Sequence, residues 1–249
     1  FARVHDELNM DTLDEKLKQE VFEKFAPEES MRLYGRGIRR RHPPMFEGDR
    51  RRLELLYSMT FSTPGMPMLY YGEEIGMGDN QELPDRLPAR TPMQWSGSDT
   101  GGFSEAEPYK LVRPVASEPF GPKQVNVADQ DHDPNSFLHW MQKLILTRKQ
   151  SAAIGYGPVE VLKTGNSDVL AHRFVWQTHL VLVVHNLSDK SCNVNLFKLA
   201  GKEADLLQVE FSDPSGKAGE PVEDKNIRVP GYGYRWVRGF TRQTKAPLP

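Results

Sequence analysis

The residues able to do chemistry are spread along the 249-residue chain, so their spacing has to decide which belong together. His5-Asp6 places an imidazole next to a carboxylate just after an apolar start. By itself such a pair reads as a capping or surface pair. Glu73-Glu74 is an adjacent carboxylate pair, the arrangement acid–base work would call for. It sits after an apolar run that reads as a strand, where neighbouring side chains point to opposite faces, so the pair reads as structural. Arg39–Arg41 and Arg50–Arg52 could mark a phosphate or nucleic-acid patch. With 34 acidic residues against 32 Lys and Arg, and a net charge of −2, they read instead as solvated or acid-paired faces, and nucleic acid is not expected as a partner. His42, His132, His139, His172, His179 and His185 show no metal-ligand spacing, so neither a metal nor another cofactor is expected. Cys192 is the only cysteine, which excludes an internal disulfide and fits a reducing, cytoplasmic location.

The elements that must carry these residues change character near residue 155. Leu13, Leu17, Val21 and Phe25 recur at i+4 and predict an amphipathic helix over 11–25, capped by Asp11 or Thr12 and ended before Pro27. Residues 31–48 read as a basic loop. A second helix is expected over 49–62, with Pro64-Gly65 stopping it, followed by a short buried strand over 66–71 closed by Gly72. Residues 76–134, rich in Gly, Pro, Asp and Asn, read as a long loop, a length that signals function or disorder. Asn135 or Ser136 then caps a third helix with Phe137, Trp140, Met141, Leu144 and Ile145 along one stripe. Beyond Gly157-Pro158 the period becomes two, with strands expected over 159–163, 169–176, 180–187, 193–199 and within 226–237, the spacing of an antiparallel β-sandwich. Trp176, Tyr232, Tyr234 and Trp236 read as packing residues of that sandwich more than as sugar platforms.

Helix, turn and all-apolar strand in that order is α/β logic, but one parallel strand between two helices cannot bury itself. Residues 1–154 therefore read as the C-terminal part of a (β/α)8 barrel, which needs about 250 residues, and 155–249 as a β-sandwich domain. The start at Phe1, with neither a methionine nor an apolar leader, is expected for a fragment. No apolar run approaches the ~20 residues of a membrane span.

Several segments resemble the α-amylase superfamily, glycoside hydrolase family 13. Phe1-Ala2-Arg3-Val4-His5-Asp6-Glu7-Leu8 resembles the family's Asn-His-Asp signature at the end of barrel strand seven. The segment from Pro64 through Leu69-Tyr70-Tyr71-Gly72-Glu73-Glu74 to Met77 resembles strand eight and its loop. Arg90-Thr91-Pro92-Met93-Gln94-Trp95 is similar to a motif of the α-glucosidase and trehalose synthase branch, and Gly37-Ile38-Arg39-Arg40-Arg41 and Gly76-Met77-Gly78-Asp79-Asn80 look most like trehalose synthases. The resemblance implies that Asp6 is the family's third catalytic carboxylate, that His5 and Arg90 bind the glucose, and that Arg86 is a weaker second arginine. It also implies that the nucleophile and the acid/base precede Phe1, so this chain alone should be inactive. Expected partners are an α-linked glucose disaccharide or oligosaccharide, and the N-terminal remainder of the enzyme or a second copy to cover the open barrel edge. One departure stands out: the family's Asn is Val4 here, which can pack but not hydrogen-bond. Two rival readings are a non-catalytic relative acting as a scaffold, like the amino-acid-transporter heavy chains, and a free-standing sugar-binding module.

Overall fold

A computed structural model describes residues 2, 4–201, 204–224 and 226–241; Phe1 and Arg3 of the His-Asp segment lie outside the described residues. The chain divides into two compact units, Phe1–Leu53 with Met68–Gln142, and Glu54–Pro67 with Lys143–Pro249. No helix among the described residues is long and apolar enough to cross a membrane.

The first unit begins with β1 (Leu8–Asn9) and α1 (Glu15–Phe25), continues through β2 (Arg32–Leu33), β3 (Gly37–Ile38) and α2 (His42–Met45), and enters α3 (Arg50–Ser62). Asp14, not Asp11 or Thr12, caps α1: its carboxylate accepts from the Leu17 amide at 2.8 Å. The stretch expected to be loop instead folds as a small antiparallel sheet in the order β1-β3-β2, closed by Tyr34 and Gly35 at positive φ. Phe22, Ala26, Ile38 and Met45 form the core beneath it.

Two expectations fail here. Residues 66–71 form no ladder: every strand pairing among the described residues is antiparallel, and none involves this segment. Met66 is 90% exposed and Met68 55%. The reason is the one that marks the segment as barrel-like, since a parallel strand without parallel neighbours has no hydrogen-bond partners. Glu73 and Glu74 consequently lie on a single 3-10 turn, Glu73–Ile75, and not on opposite faces of a strand. The long stretch 76–134 holds further 3-10 turns and the short helix α4 (Val127–His132), and is anchored by a cluster of Ile75, Met77 and Met93. Helix α5 (Phe137–Gln150) follows, as expected.

The second unit takes the end of α3, the end of α5, and α6 (Ala152–Tyr156). Its strands are β4 (Val159–Leu162), β5 (Val169–Trp176), β6 (His179–Asn186), β7 (Cys192–Asn195), β8 (Ala204–Ser212), β9 (Asn226–Val229) and β10 (Tyr234–Thr241), with α7 (Leu196–Ala200) between β7 and β8. A five-stranded antiparallel sheet in the order β4-β5-β6-β10-β8 faces the pair β7-β9. Central strand β6 is buried on both faces, which explains its unbroken apolar run Leu180–Val184. One face supplies Ala171, Leu180, Leu182, Val184, Val209 and Val237 to a core completed by Val194 of β7 and Val229 of β9. The other face carries His172, Phe174, His185, Tyr234 and Trp236, over which α3 lays Ser58 and Ser62.

The expected strand over 193–199 ends early, because Asn195 turns and caps α7 by accepting from the Lys198 amide at 2.8 Å. Strand β8, unexpected from the sequence, sits at the sheet edge. Tyr234 and Trp236 are core residues as read, whereas Trp176 is 38% exposed at the sheet's rim.

Candidate functional site

The turn over 4–7 delivers His5, Asp6 and Glu7 just ahead of β1. Asp6 Oδ1 lies 3.2 Å from Arg90 Nη2 and 3.3 Å from Arg86 Nη1, and Asp6 Oδ2 lies 3.4 Å from His5 Nε2. Arg90 Nε also donates to the His5 carbonyl at 2.9 Å. The structure thus gathers all three sequence-predicted site residues, Asp6, His5 and Arg90, together with the weaker candidate Arg86. Two arginines facing one carboxylate oxygen fix its direction.

Glu7, adjacent to Asp6, was not singled out from the sequence. It is 8% exposed and is held by Arg86 Nε at 2.8 Å, Arg86 Nη2 at 3.3 Å and Arg36 Nη2 at 3.2 Å. Burial pushes its carboxyl up, but its backbone N–H and the two arginines outweigh that and hold it below the usual carboxylate range. The close approach depends on Gly37, where an added Cβ would lie 2.3 Å from Glu7 Cγ. The arm bearing Arg86 is fixed from the other side: the Tyr34 hydroxyl donates to Asp85 at 2.6 Å, and the Arg86 guanidinium lies 5.3 Å above the Tyr34 ring.

The arginine run 39–41 is not a solvated face. Arg39 donates to the carbonyls of Gln81, Leu83 and Asp85, gathering the loop before Arg86. Arg41 is 2% exposed, lies 5.0 Å and 5.3 Å from the Tyr70 and Tyr71 rings, and its guanidinium donates to the carbonyls of Tyr71 and Ala89. The expected acid pairing fails because folding encloses these guanidiniums, and carbonyl dipoles and ring faces are what surround them. No composition signal distinguishes such arginines from surface ones; Arg41 was readable only through its neighbours in space.

The segment beginning at Arg90 is largely a scaffold. Thr91 is fully buried, Met93 joins the Ile75–Met77 cluster, and the Gln94 amide donates to the carbonyls of Phe120 and Val125. Beside it opens a cavity of about 790 Å³ lined by Tyr71, Glu74, Arg90, Trp95, Phe103 and Arg113, within the size range of small-molecule sites. Burial pushes the Glu74 carboxyl up. Glu73 turns inward, accepting from the Tyr70 amide at 3.0 Å. Among the described residues no cluster of His, Cys, Asp and Glu could hold a metal ion.

The chain as a whole is similar to known proteins. The family model for the α-amylase catalytic domain matches residues 39–157, and that for the sucrose hydrolase-like C-terminal domain matches 179–238. The trehalose synthase of Thermus thermophilus is 42% identical over 190 residues, covering 76% of this chain and 20% of that protein. The trehalose synthase/amylase TreS of Mycolicibacterium smegmatis is 34% identical over 250 residues, covering 96% of this chain and 41% of that protein. The crystal structure of the trehalose-6-phosphate hydrolase of Bacillus licheniformis superposes with a TM-score of 0.63 at 21% identity, over 78% of this chain and 40% of that one. The chain belongs to the α-amylase superfamily, glycoside hydrolase family 13, in its trehalose synthase and α-glucosidase branch. It spans well under half the length of these relatives.

Proposed function

We propose that this chain is the C-terminal part of a retaining α-glucoside-active enzyme, either a trehalose synthase-like maltose α-D-glucosyltransferase or an α-glucosidase-type hydrolase. In this reading residues 1–154 close the end of the catalytic barrel and 155–249 form its C-terminal domain. Asp6 is the carboxylate that favours the distorted, oxocarbenium-like transition state, while His5 and Arg90 hold hydroxyls of the same glucose. The observation that carries it is the convergence of His5, Arg86 and Arg90 on Asp6. The relatives' names, trehalose synthase and trehalose synthase/amylase, supply the substrate class. Retaining chemistry needs two carboxyl groups about 5–5.5 Å apart as nucleophile and acid/base. Glu7 cannot be either, because two arginines consume its oxygens. The resemblance to the family places both roles ahead of Phe1, so in this reading the chain alone is expected to turn nothing over.

The test is turnover of maltose, trehalose and sucrose by this chain, and by the protein that includes the N-terminal remainder. The longer protein should be active, and Asp6→Asn should lower its kcat/KM by about 10²–10³-fold, the usual cost of losing one transition-state contact. Turnover by this chain alone, or full activity in the Asp6→Asn protein, would overturn the reading. Val4 favours a second reading, a non-catalytic scaffold, since it removes a hydrogen-bonding side chain beside His5. That reading requires the longer protein to be inactive as well.

A further inference from the structure

Three successive carbonyls of the loop bearing Arg90 are each gripped by a side chain from elsewhere in the first unit. The Ala89 carbonyl accepts from Arg41 Nη2 at 2.8 Å and Nε at 3.2 Å. The Arg90 carbonyl accepts from Arg113 Nη1 at 3.2 Å. The Thr91 carbonyl accepts from the Tyr71 hydroxyl at 2.7 Å. These segments have no ladder and no helix to fix them: Leu87–Ala89 is a single 3-10 turn that ends at Arg90. Side chains must therefore do what secondary structure does elsewhere.

Arg41 ties the arrangement together. Its Nη1 donates to the Tyr71 carbonyl at 2.9 Å and its plane lies over both tyrosine rings, so the residue that holds Ala89 also holds the backbone bearing the Tyr71 hydroxyl. Its own backbone N–H donates to Asp79 at 2.6 Å, tying the end of the β3 segment into the same knot. A planar fork is required, because a lysine ammonium cannot serve Ala89 and Tyr71 in fixed directions while stacking on rings. Burial, with the neighbouring Tyr70 hydroxyl, pushes the Tyr71 phenol well above its ordinary range, so it stays a donor at any working pH.

We propose that Arg41 and Tyr71 are positioning residues for Arg90: they fix the backbone from which the Arg90 guanidinium reaches Asp6 and the His5 carbonyl. What Arg90 is positioned for rests on the function proposed above; that it is positioned by these two residues does not. The expected signature is a rigid Arg90 side chain whose rigidity is lost when either grip is loosened, with the rest of the fold unchanged.

The experiment is NMR on the full chain with labelled arginine and histidine, the Arg90 Nε–Hε signal being assigned by its loss in Arg90→Lys. In the wild type that signal should be shifted by its bond to the His5 carbonyl and slow to exchange. Tyr71→Phe, which deletes one hydroxyl, should speed its exchange about fivefold, the equivalent of one lost hydrogen bond. It should also move the His5 backbone resonances, whose carbonyl accepts from Arg90, while leaving the amide shifts of β5, β6 and β10 in place. Arg41→Lys should do the same more strongly. Should Arg41→Lys fail to fold, Tyr71→Phe decides the matter alone. An Arg90 signal and His5 resonances unchanged in Tyr71→Phe would overturn the proposal. In the longer protein, Tyr71→Phe should raise KM for the glucoside more than it lowers kcat; a protein without turnover refutes the proposed function and leaves the NMR result to stand by itself.

Discussion

Glu7 and Arg86 face each other with Oε2 and Nε 2.8 Å apart, and the same guanidinium reaches past Glu7 to Asp6 at 3.3 Å. Two consecutive carboxylates therefore share one arginine, one buried against it and the other turned outward beside Arg90. This division of labour separates a carboxylate that builds the site from one that is free to act in it.

Glu7→Gln should destabilise the first unit by on the order of 1 kcal/mol at pH 7, discounted because Arg36 and Arg86 are both partly open to solvent. The carboxyl is held below its unfolded value of 4.5, so the stability it confers is full above that pH and is lost as pH falls through the folded value. Urea unfolding followed from pH 7 to pH 3 should show a decline below about pH 4.5 in the wild type and a shallower one in Glu7→Gln. Parallel profiles would contradict this account of Glu7.

The stacked pair His172 and His185, 5.8 Å apart, should make the second unit acid-sensitive. His172 Nε2 donates to the Ser62 carbonyl at 2.9 Å, and His185 Nε2 meets Ser58 Oγ at 2.9 Å, which in turn accepts from Trp236 Nε1 at 2.8 Å. Burial pushes both rings down, and for His185 the neighbouring His172 adds to it. Below the ordinary value of 6.5 the unfolded chain binds more protons than the folded one, so stability should fall as pH drops from 7 to 5. Glu54, whose carboxylate accepts from the Tyr234 hydroxyl at 3.1 Å on the same sheet face, is the nearest acid on α3. His185→Gln should flatten that slope at a cost of about 1 kcal/mol at pH 7. A melting temperature of the wild type that does not change between pH 7 and pH 5 would refute this.

Asp213 and Arg235 form an ion pair buried on both sides, with Asp213 also accepting from the Tyr234 amide at 3.0 Å and from Ser215. Removing one partner strands the other charge away from water. Asp213→Ala should cost about 3–5 kcal/mol and unfold the second unit at moderate urea. A midpoint shift equivalent to less than about 1 kcal/mol would show that solvent reaches the pair.

The open segment 66–71 should drive association. Met66 and Met68 are exposed apolar side chains on backbone without a ladder, and apolar surface left in water is unfavourable by roughly 25 cal/mol per Å². Light scattering of the chain at rising concentration should exceed the mass of the 28.4 kDa monomer, and Met66→Glu with Met68→Glu should restore it. Co-expression with the N-terminal remainder should yield a one-to-one complex. A monomer at every concentration that also ignores that partner would refute the incomplete-barrel reading.

Local periodicity was enough to find α3, α5 and the β5–β6 hairpin, because burial of one face at period 3.6 or 2 writes itself directly into the sequence. His5, Asp6 and Arg90 were put forward together only by the family resemblance of the motifs they sit in, and the structure places the three side by side. What the sequence could not contain is the three-dimensional bookkeeping of hydrogen bonds. A strand-like run over 66–71 becomes a strand only when parallel neighbours accept and donate, and the described residues supply none. Glu7 and Arg41 look like any surface acid or base until folding encloses them, and Tyr71, still 39% exposed, like any surface aromatic until its hydroxyl meets the Thr91 carbonyl. Only then do carbonyls at 89 and 91, a ring face and a neighbouring guanidinium become their solvent, because a buried charge or donor is tolerated solely where the tertiary structure brings it partners.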